Sequence, residues 1–363
     1  MSQTYRVAII GTGRMGGLIE DEVPIGSWSK PYGHFPAYAA IPETAVVAVA
    51  NRGAERLERF SRRFGIDNTY LDYREMVLRE KPDIISITTP SLARAEPIIF
   101  CAENGVRGIF AEKGLCASLE EADRVADAVR RNNVAFNWGA LRRHNDGFQK
   151  LSSEIAGGAI GDPRFAIMSF ASDLIKHHPH ALDLVEMMLG DPRPLWVEGS
   201  LMEAGDQFAP DRPLPTFDRD NHRFVPPPGK EIGDPWVGTY RVGYEGGAEG
   251  IFIPVPGGFE IDVMGSDGRA FAWDNGSTFG VRRFDRKSGR TDLTMWQAQG
   301  ESPTVCVIRD IIREMETGHR TAGNIDRTMQ AVETQFALAH SHLQGGSRVS
   351  IPVADRSLYI PGG

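Results

Sequence analysis

The chain has 363 residues, room for two domains at about 150 residues each. Hydrophobic residues make up 41% and charged residues 24%, ordinary globular usage, and 40 basic against 48 acidic side chains leave a formal charge of −8. That balance argues against a nucleic-acid binder, which needs clustered Lys and Arg, and no run of about 18 apolar residues is present to span a bilayer. Three cysteines, Cys101, Cys116 and Cys306, are odd in number and far apart, which fits neither a disulfide framework nor a cysteine zinc site. The short apolar stretch near the N-terminus ends too soon for a signal-peptide core, so a cytoplasmic protein is expected.

Tyr5–Ile10 predicts a first strand, followed by glycines and a helix over Arg14–Glu22. Val23–Pro42, with Pro24, Pro31, Gly33 and Pro36, reads as an excursion over the edge of a ligand site. Thr44–Ala50 is a buried strand, and Ala54–Phe64, with Leu57, Phe60 and Phe64 at helical intervals, is the helix after it. Asp83–Thr88 and Gly108–Ala111 are further strands; Glu96–Glu103 and Leu119–Asn132 are helices. Short apolar strands alternating with helices imply βαβ units and a doubly wound parallel sheet, a domain over residues 1–143.

Beyond it the pattern changes. Phe148–Ala156 and Ala181–Leu189 read as helices. Trp196–Leu201, Gly238–Tyr244, Gly250–Ile253, Phe259–Met264, Arg269–Trp273 and Thr278–Phe284 read as strands with no helices between them. That predicts a second α/β domain over 144–363 with a large, open, mainly antiparallel sheet, closed by helices near Thr304–Glu316 and Asp326–Leu343 and a short strand at Arg348–Pro352. Met202–Trp236 carries seven prolines, among them Pro210, Pro213 and Pro226–Pro228, which predicts a long irregular loop: a lid, an oligomer arm or a passive surface excursion.

Gly11-Thr12-Gly13-Arg14-Met15-Gly16 follows the first strand, the context in which a GxGxxG turn cradles a dinucleotide. Gly11 permits the tight turn, Gly13 lets the backbone approach the diphosphate, and Gly16 lets helix and strand pack; the helix N-terminus is expected to face the anion. The second strand ends at Asn51-Arg52, with no carboxylate to hold a ribose 2′-hydroxyl. Arginine there suits a 2′-phosphate or is simply solvated, which tips the expected cofactor towards NADP(H) and leaves NAD(H) open. Thr88-Thr89-Pro90 follows the third strand, where a doubly wound sheet binds its ligands.

Taken together, GTGRMG, TTPS, Glu112-Lys113-Gly114, RRHNDGF, HHPHALDLVEMMLG and GGSRVSIPVADRS occur in that order. The ordered set resembles the Gfo/Idh/MocA family of NAD(P)-dependent oxidoreductases across nearly the whole chain. The resemblance implies a Rossmann domain followed by an α/β domain whose sheet face often buries a dimer or tetramer interface. It also implies a carbohydrate or polyol substrate. Glu112-Lys113-Gly114 stands where the family has EKP, so Glu112 joins the cofactor residues and Lys113 touches nicotinamide and substrate hydroxyl. His180 falls on the catalytic histidine; its ordinary pKa suits the proton transfer that accompanies hydride movement. Arg143, His144, Lys176 and His177 are the expected substrate contacts.

There are departures. Lys176 stands where many relatives have an acid, Arg94 where they often have histidine, and Asp146 where they have proline. Lys176–His180 is dense in titratable groups, but it lacks a matched second ligand set, so no metal is expected. Three readings follow: a dehydrogenase or reductase acting on a sugar, sugar derivative or cyclic polyol; a redox-neutral lyase, dehydratase or glycosidase holding NAD(H) tightly; and a non-catalytic dinucleotide sensor.

Overall fold

The computed structural model describes residues 4–23, 29–203, 214–229, 233–285 and 287–362. Among these the chain forms two compact units.

The first unit comprises Met1–Cys116, Glu121–His144 and Glu301–Thr328. Its six strands are β1 (Tyr5–Ile10), β2 (Thr44–Ala50), β3 (Thr69–Tyr70), β4 (Ile84–Ile87), β5 (Gly108–Ala111) and β6 (Ala135–Trp138). They pair in parallel in the order β3-β2-β1-β4-β5-β6. Strands β4, β5 and β6 are buried along their whole length, as a parallel sheet covered on both faces requires. The connecting helices are α1 (His34–Ala39), α2 (Ala54–Phe64), α3 (Tyr73–Glu80), α4 (Ala95–Glu103) and α5 (Leu119–Arg131).

Two expectations are corrected here. No helix runs over Arg14–Glu22: the chain makes a turn at Arg14–Gly17 and a single 3₁₀ turn at Leu18–Asp21, and among the described residues the next helix begins at His34. There the His34 N–H donates to the Met15 carbonyl at 3.0 Å and the Phe35 N–H to Gly16 at 2.9 Å. A helical N–H bonds the carbonyl four residues back, so His34 and Phe35 continue the turn at Met15–Gly16 with residues 18–23 and 29–33 looped out. The loop closes at glycine: a Cβ on Gly33 would lie 2.8 Å from Gly17 Cα. Part of the Val23–Pro42 segment is therefore helix, while residues 24–28 lie outside the described residues.

The second correction concerns the helix Pro303–Thr317, which sequence reading gave to the second domain. Val305, Val307, Ile308 and Ile311 instead join Tyr5, Val7, Ile84 and Phe110 in one core, so burial draws this stretch back to the parallel sheet.

The second unit takes in Asn145–Gly300 and Met329–Gly363. Helices α6 (Asp146–Ala156) and α7 (Pro179–Met188) accompany nine strands in one sheet. These are β7 (Pro163–Ser169), β8 (Pro194–Leu201), β11 (Val237–Tyr244), β12 (Glu249–Ile253), β13 (Glu260–Gly265), β14 (Gly268–Trp273), β15 (Thr278–Asp285), β16 (Arg290–Trp296) and β17 (Val349–Ser350), in the order β16-β15-β14-β13-β7-β12-β11-β8-β17. Only β7 and β12 pair in parallel. Within the proline-rich segment, β9 (Thr216–Asp218) and β10 (Arg223–Val225) pair antiparallel, where an irregular loop was expected; no proline falls in either strand. Pro210 and Pro213 lie outside the described residues. Cross-strand register places Phe165, Trp273, Phe284, Leu293 and Met295 on one face of the large sheet, all exposed.

Candidate active site

A cavity of about 790 Å³ opens at the carboxyl ends of β1, β2 and β4, lined by Gly11, Gly13, Asn51, Arg52, Thr88, Thr89 and Pro90. Gly11 has φ +102°, and a Cβ there would sit 2.6 Å from Thr88 Oγ1. Only glycine accepts both constraints. The Thr88 hydroxyl donates to the Gly11 carbonyl at 2.8 Å, fastening the glycine turn to the end of β4. A Cβ on Gly16 would meet the Gly11 carbonyl oxygen at 2.6 Å, so this glycine closes the turn on itself. A Cβ on Gly13, by contrast, would meet nothing closer than Arg56 Nη1 at 4.0 Å beyond its chain neighbours, and the bare backbone there lines the cavity. Thr12 Oγ1 is buried without a hydrogen-bond partner among the described residues. An open glycine backbone and an orphaned hydroxyl in one turn fit a phosphate-bearing ligand. The N–H groups on offer belong to this turn rather than to a long helix, because the helix is interrupted. Met15 supplies the carbonyl that receives His34, and Arg14 pairs with Glu22 at 2.6 Å, within the looped-out segment.

At the other end of the cavity Asn51 Nδ2 donates to the Gly53 carbonyl. Arg52, Arg56 and Arg59 line the wall, and none makes a hydrogen bond or ion pair among the described residues. Other arginines on the same side are paired: Arg62 with Glu58, Arg63 with Asp21 and Arg79 with Glu75.

Strand β5 delivers Glu112 and Lys113 at the same edge of the sheet. Glu112 is buried, and its Oε1 lies 3.1 Å from His34 Nε2. Its Oε2 accepts the Lys113 N–H at 3.3 Å and lies 3.9 Å from Lys113 Nζ. Burial pushes the Glu112 carboxyl up, but the His34 hydrogen bond and the charges of Lys113 and Arg94 outweigh it and hold the group down at about 2. A Cβ on Gly139, just past β6, would come within 2.9 Å of Oε2, so glycine there leaves the carboxylate its space. Arg94 is buried and donates to two carbonyls, Thr89 after β4 and Gly114 after β5. Burial lowers its pKa to about 10, still charged at neutral pH. The residue noted only as a departure from histidine is thus the clasp between two loops of the site; its chemistry was visible in the sequence, its direction was not.

Arg143 and His144 are both buried. Burial and the neighbouring Arg143 and Arg313 push His144 down to about 3, so its ring is neutral and Nε2 accepts from Asn137 Nδ2 at 3.3 Å. Asn137 also donates to Asp310 at 3.2 Å, tying β6 to the helix Pro303–Thr317.

In the second unit the run Lys176–His180 leads into α7, with Pro179 at its first turn. His180 is buried in that turn. His177 Nδ1 sits 2.7 Å from Asp173 Oδ1. The backbone N–H groups of Ile175 and Lys176 donate to the Asp234 carboxylate at 2.8 and 3.0 Å. Burial and the facing Asp173 raise the Asp234 carboxyl. His178, which sequence reading passed over, is fully enclosed between Ser172 Oγ (2.9 Å from Nδ1) and the Tyr240 hydroxyl, and burial pushes it down to about 3. Its neutral ring anchors the segment that carries His180. Among the described residues no group of three or more His, Cys, Asp or Glu side chains is arranged to hold a metal.

Residues 5–139 match the model of an oxidoreductase family with an NAD-binding Rossmann fold. Levoglucosan dehydrogenase of Pseudarthrobacter phenanthrenivorans is 34% identical over 168 residues, 44% of this chain and 39% of that protein. Myo-inositol 2-dehydrogenase of Thermotoga maritima is 24% identical over 158 residues, 44% of this chain and 42% of its own length. The aligned part thus spans less than half of the curated relatives. Among solved structures, levoglucosan dehydrogenase in complex with NADH and L-sorbose superimposes with a TM-score of 0.77 at 19% identity, over 97% of this chain and 100% of that one. An oxidoreductase from Agrobacterium radiobacter in complex with NAD+, L-tartaric acid and magnesium gives 0.73 at 15% identity, over 96% and 99%. At these identities the superpositions establish the fold.

Proposed function

We propose that this chain, whose residues 5–139 match the NAD-binding Rossmann fold of the Gfo/Idh/MocA oxidoreductase family, moves a hydride between a pyridine nucleotide and a hydroxyl or carbonyl carbon of a sugar, sugar derivative or cyclic polyol. The observation that carries this reading is the cavity over the glycine turn, with the buried Glu112 and its half-buried neighbour Lys113 delivered at the same edge of the sheet. A bound nicotinamide supplies the hydride chemistry; the protein orients it and moves the proton. The Gly11–Gly16 turn, with Thr88 and Thr89, holds the diphosphate and adjoining ribose. Lys113 presents its ammonium to the reacting oxygen, lowering the cost of negative charge there. His180, on the second unit, is the candidate to take or return a proton. Arg143, His144, Lys176 and His177 contribute to substrate selection.

The guanidiniums of Arg52, Arg56 and Arg59 favour NADP(H), because each is a ready donor for a 2′-phosphate and together they outnumber the carboxylates of Glu55 and Glu96 that line the same cavity, while β2 itself leads into Asn51-Arg52 without an acid. The exposed apolar face of the large sheet favours a homodimer or homotetramer formed through it, since a patch of Phe165, Trp273, Leu293 and Met295 is unfavourable in water. A cytoplasmic location is consistent with the absence of any helix, among the described residues, long and apolar enough to cross a membrane.

The test is a panel of sugars, inositols and their keto forms, followed by nicotinamide absorbance with NADP(H) and NAD(H). Net oxidation or reduction of a panel member supports the reading. Nucleotide that stays bound through turnover with no net change in its redox state assigns the protein to the redox-neutral class instead.

A further inference from the structure

The catalytic reading uses Lys113, but the groups behind Lys113 form a chain of their own. The Tyr38 hydroxyl lies 3.0 Å from Ser86 Oγ, Ser86 Oγ 2.8 Å from His34 Nδ1, and His34 Nε2 3.1 Å from Glu112 Oε1. Tyr38, Ser86 and His34 are wholly buried, and the His34 ring stacks on Phe110 at 4.0 Å between centroids. A carboxylate only accepts, so His34 Nε2 carries a proton. In the tautomer with that one proton, Nδ1 accepts from the Ser86 hydroxyl, which accepts in turn from the Tyr38 phenol, kept protonated by burial. Every donor in the chain has an acceptor, and the chain ends on the oxygen of Glu112 that Lys113 does not use.

We propose that His34 is a positioning residue for Lys113, acting through Glu112. Resting on the reading of Lys113 given above, this deepens it: the residue that fixes the reactive ammonium lies on α1, where the backbone ladder returns to Met15. His34 occupies one carboxylate oxygen and so turns the other towards Lys113. By donating a hydrogen bond it also keeps a buried carboxylate ionised, which burial alone opposes. An ionised Glu112 holds the Lys113 ammonium charged and in one place; a protonated Glu112 does neither. The other charged and titratable groups that face Glu112 are Arg94, from the start of α4, and Tyr32, before α1. Arg94 is committed to the Thr89 and Gly114 carbonyls, so it supplies charge to Glu112 without directing either oxygen.

The looped-out segment has a reason to be anchored if it precedes such a residue. Glu20 Oε1 accepts the N–H groups of Tyr32 and Gly33 at 2.5 and 2.6 Å, and Ser302 and Thr304 donate to the carbonyls of Pro31 and Tyr32. The two residues ahead of His34 are thereby held on both sides.

The experiment is trace acetylation of the whole protein across pH, with the Lys113 peptide quantified by mass spectrometry against exposed Lys81. Its midpoint reports the charge on Lys113 without any redox assay. In Glu112→Gln the Lys113 midpoint is expected to fall by at least one pH unit, a roughly tenfold loss of proton affinity. His34→Leu is expected to give the same fall, the double variant no further fall, and His34→Gln, whose amide also donates, a midpoint near that of the unaltered protein. A Lys113 midpoint unmoved by His34→Leu, or moved equally by His34→Leu and His34→Gln, overturns the proposal. If His34→Leu does not fold, Ser86→Ala carries the test: a smaller fall of the same sign supports the coupling and an unchanged midpoint overturns it. Coupling without activity on any panel member sinks the oxidoreductase reading alone, and activity with an uncoupled Lys113 sinks this one alone.

Discussion

The two ends of the site in the first unit handle charge in opposite ways. At the β2 end, Arg52, Arg56 and Arg59 stand in solvent with no partners among the described residues. At the β5 end, Glu112 and Arg94 are buried and each is hydrogen-bonded, one to His34 and the Lys113 N–H, the other to two carbonyls. Solvated charge is inexpensive, individually dispensable and free to follow a ligand. Buried charge is tolerated only when partnered, and losing one partner strands another. The first end suits recognition of an anion that comes and goes. The second suits a fixed reactive group.

That contrast can be broken or sharpened by measurement, beginning with the largest effect. Removing the proposed proton carrier, His180→Ala, is expected to lower turnover by about 100- to 10,000-fold while nucleotide binding stays intact. Unchanged turnover moves the proton chemistry to another group. Next comes the buried end itself: Glu112→Leu leaves His34, Arg94 and Lys113 without their common anion. It is expected to lower unfolding free energy by about 3 kcal/mol in a urea titration. A loss below about 1 kcal/mol, the size of an exposed ion pair, erases the distinction between the two ends.

At the solvated end, Arg52→Ala and Arg56→Ala are each expected to weaken NADP(H) binding by about tenfold, about 1.4 kcal/mol, with NAD(H) binding and stability nearly unchanged. Equal losses for both nucleotides remove the 2′-phosphate assignment.

Last, counted per pH unit, comes the pH dependence of stability. The folded-state pKa values of His144 and His178 are depressed to about 3, because burial favours the neutral ring. The stability each contributes is therefore present above its unfolded pKa, near 6.5, and is lost as pH falls towards 3, at about 1.4 kcal/mol per pH unit for each ring. Glu112, depressed to about 2, adds its own loss only below its unfolded value near 4.5. The expected curve declines below pH ~6.5 and steepens below ~4.5. His178→Phe should flatten the upper part and Glu112→Gln the lower; a curve level from pH ~6.5 to ~4.5 contradicts the neutral buried rings.

Much of this was legible in the sequence, and the reasons differ by residue. Strands such as Thr44–Ala50 and Gly108–Ala111 announced themselves because a covered parallel sheet leaves a continuous apolar run. The six strands from Trp196 to Phe284 showed through their punctuation by Gly, Asp and Asn. Tyr73–Glu80 was missed although Asp72 caps it, its side chain accepting the Arg74 N–H, because its apolar face is short. Arg290–Trp296 was missed because it opens on the polar Arg290, Thr291 and Asp292 and is an edge strand exposed along most of its length. The looped-out segment defeated sequence reading for a deeper reason: the ladder that joins Met15 to His34 is made of backbone groups across a gap, and no periodicity records it. The same holds for the site. The glycine turn is a local pattern and was read directly, whereas His34, Ser86 and Glu112 meet only because β4, β5 and α1 are neighbours in the fold.

The central claim is that the first unit is a pyridine-nucleotide site whose selectivity comes from its solvated end. Calorimetric titration of nucleotide-stripped protein with NADPH and with NADH tests it most directly. Saturable binding of both, with NADPH the tighter, is the predicted result; no binding of either nucleotide contradicts the account at its base.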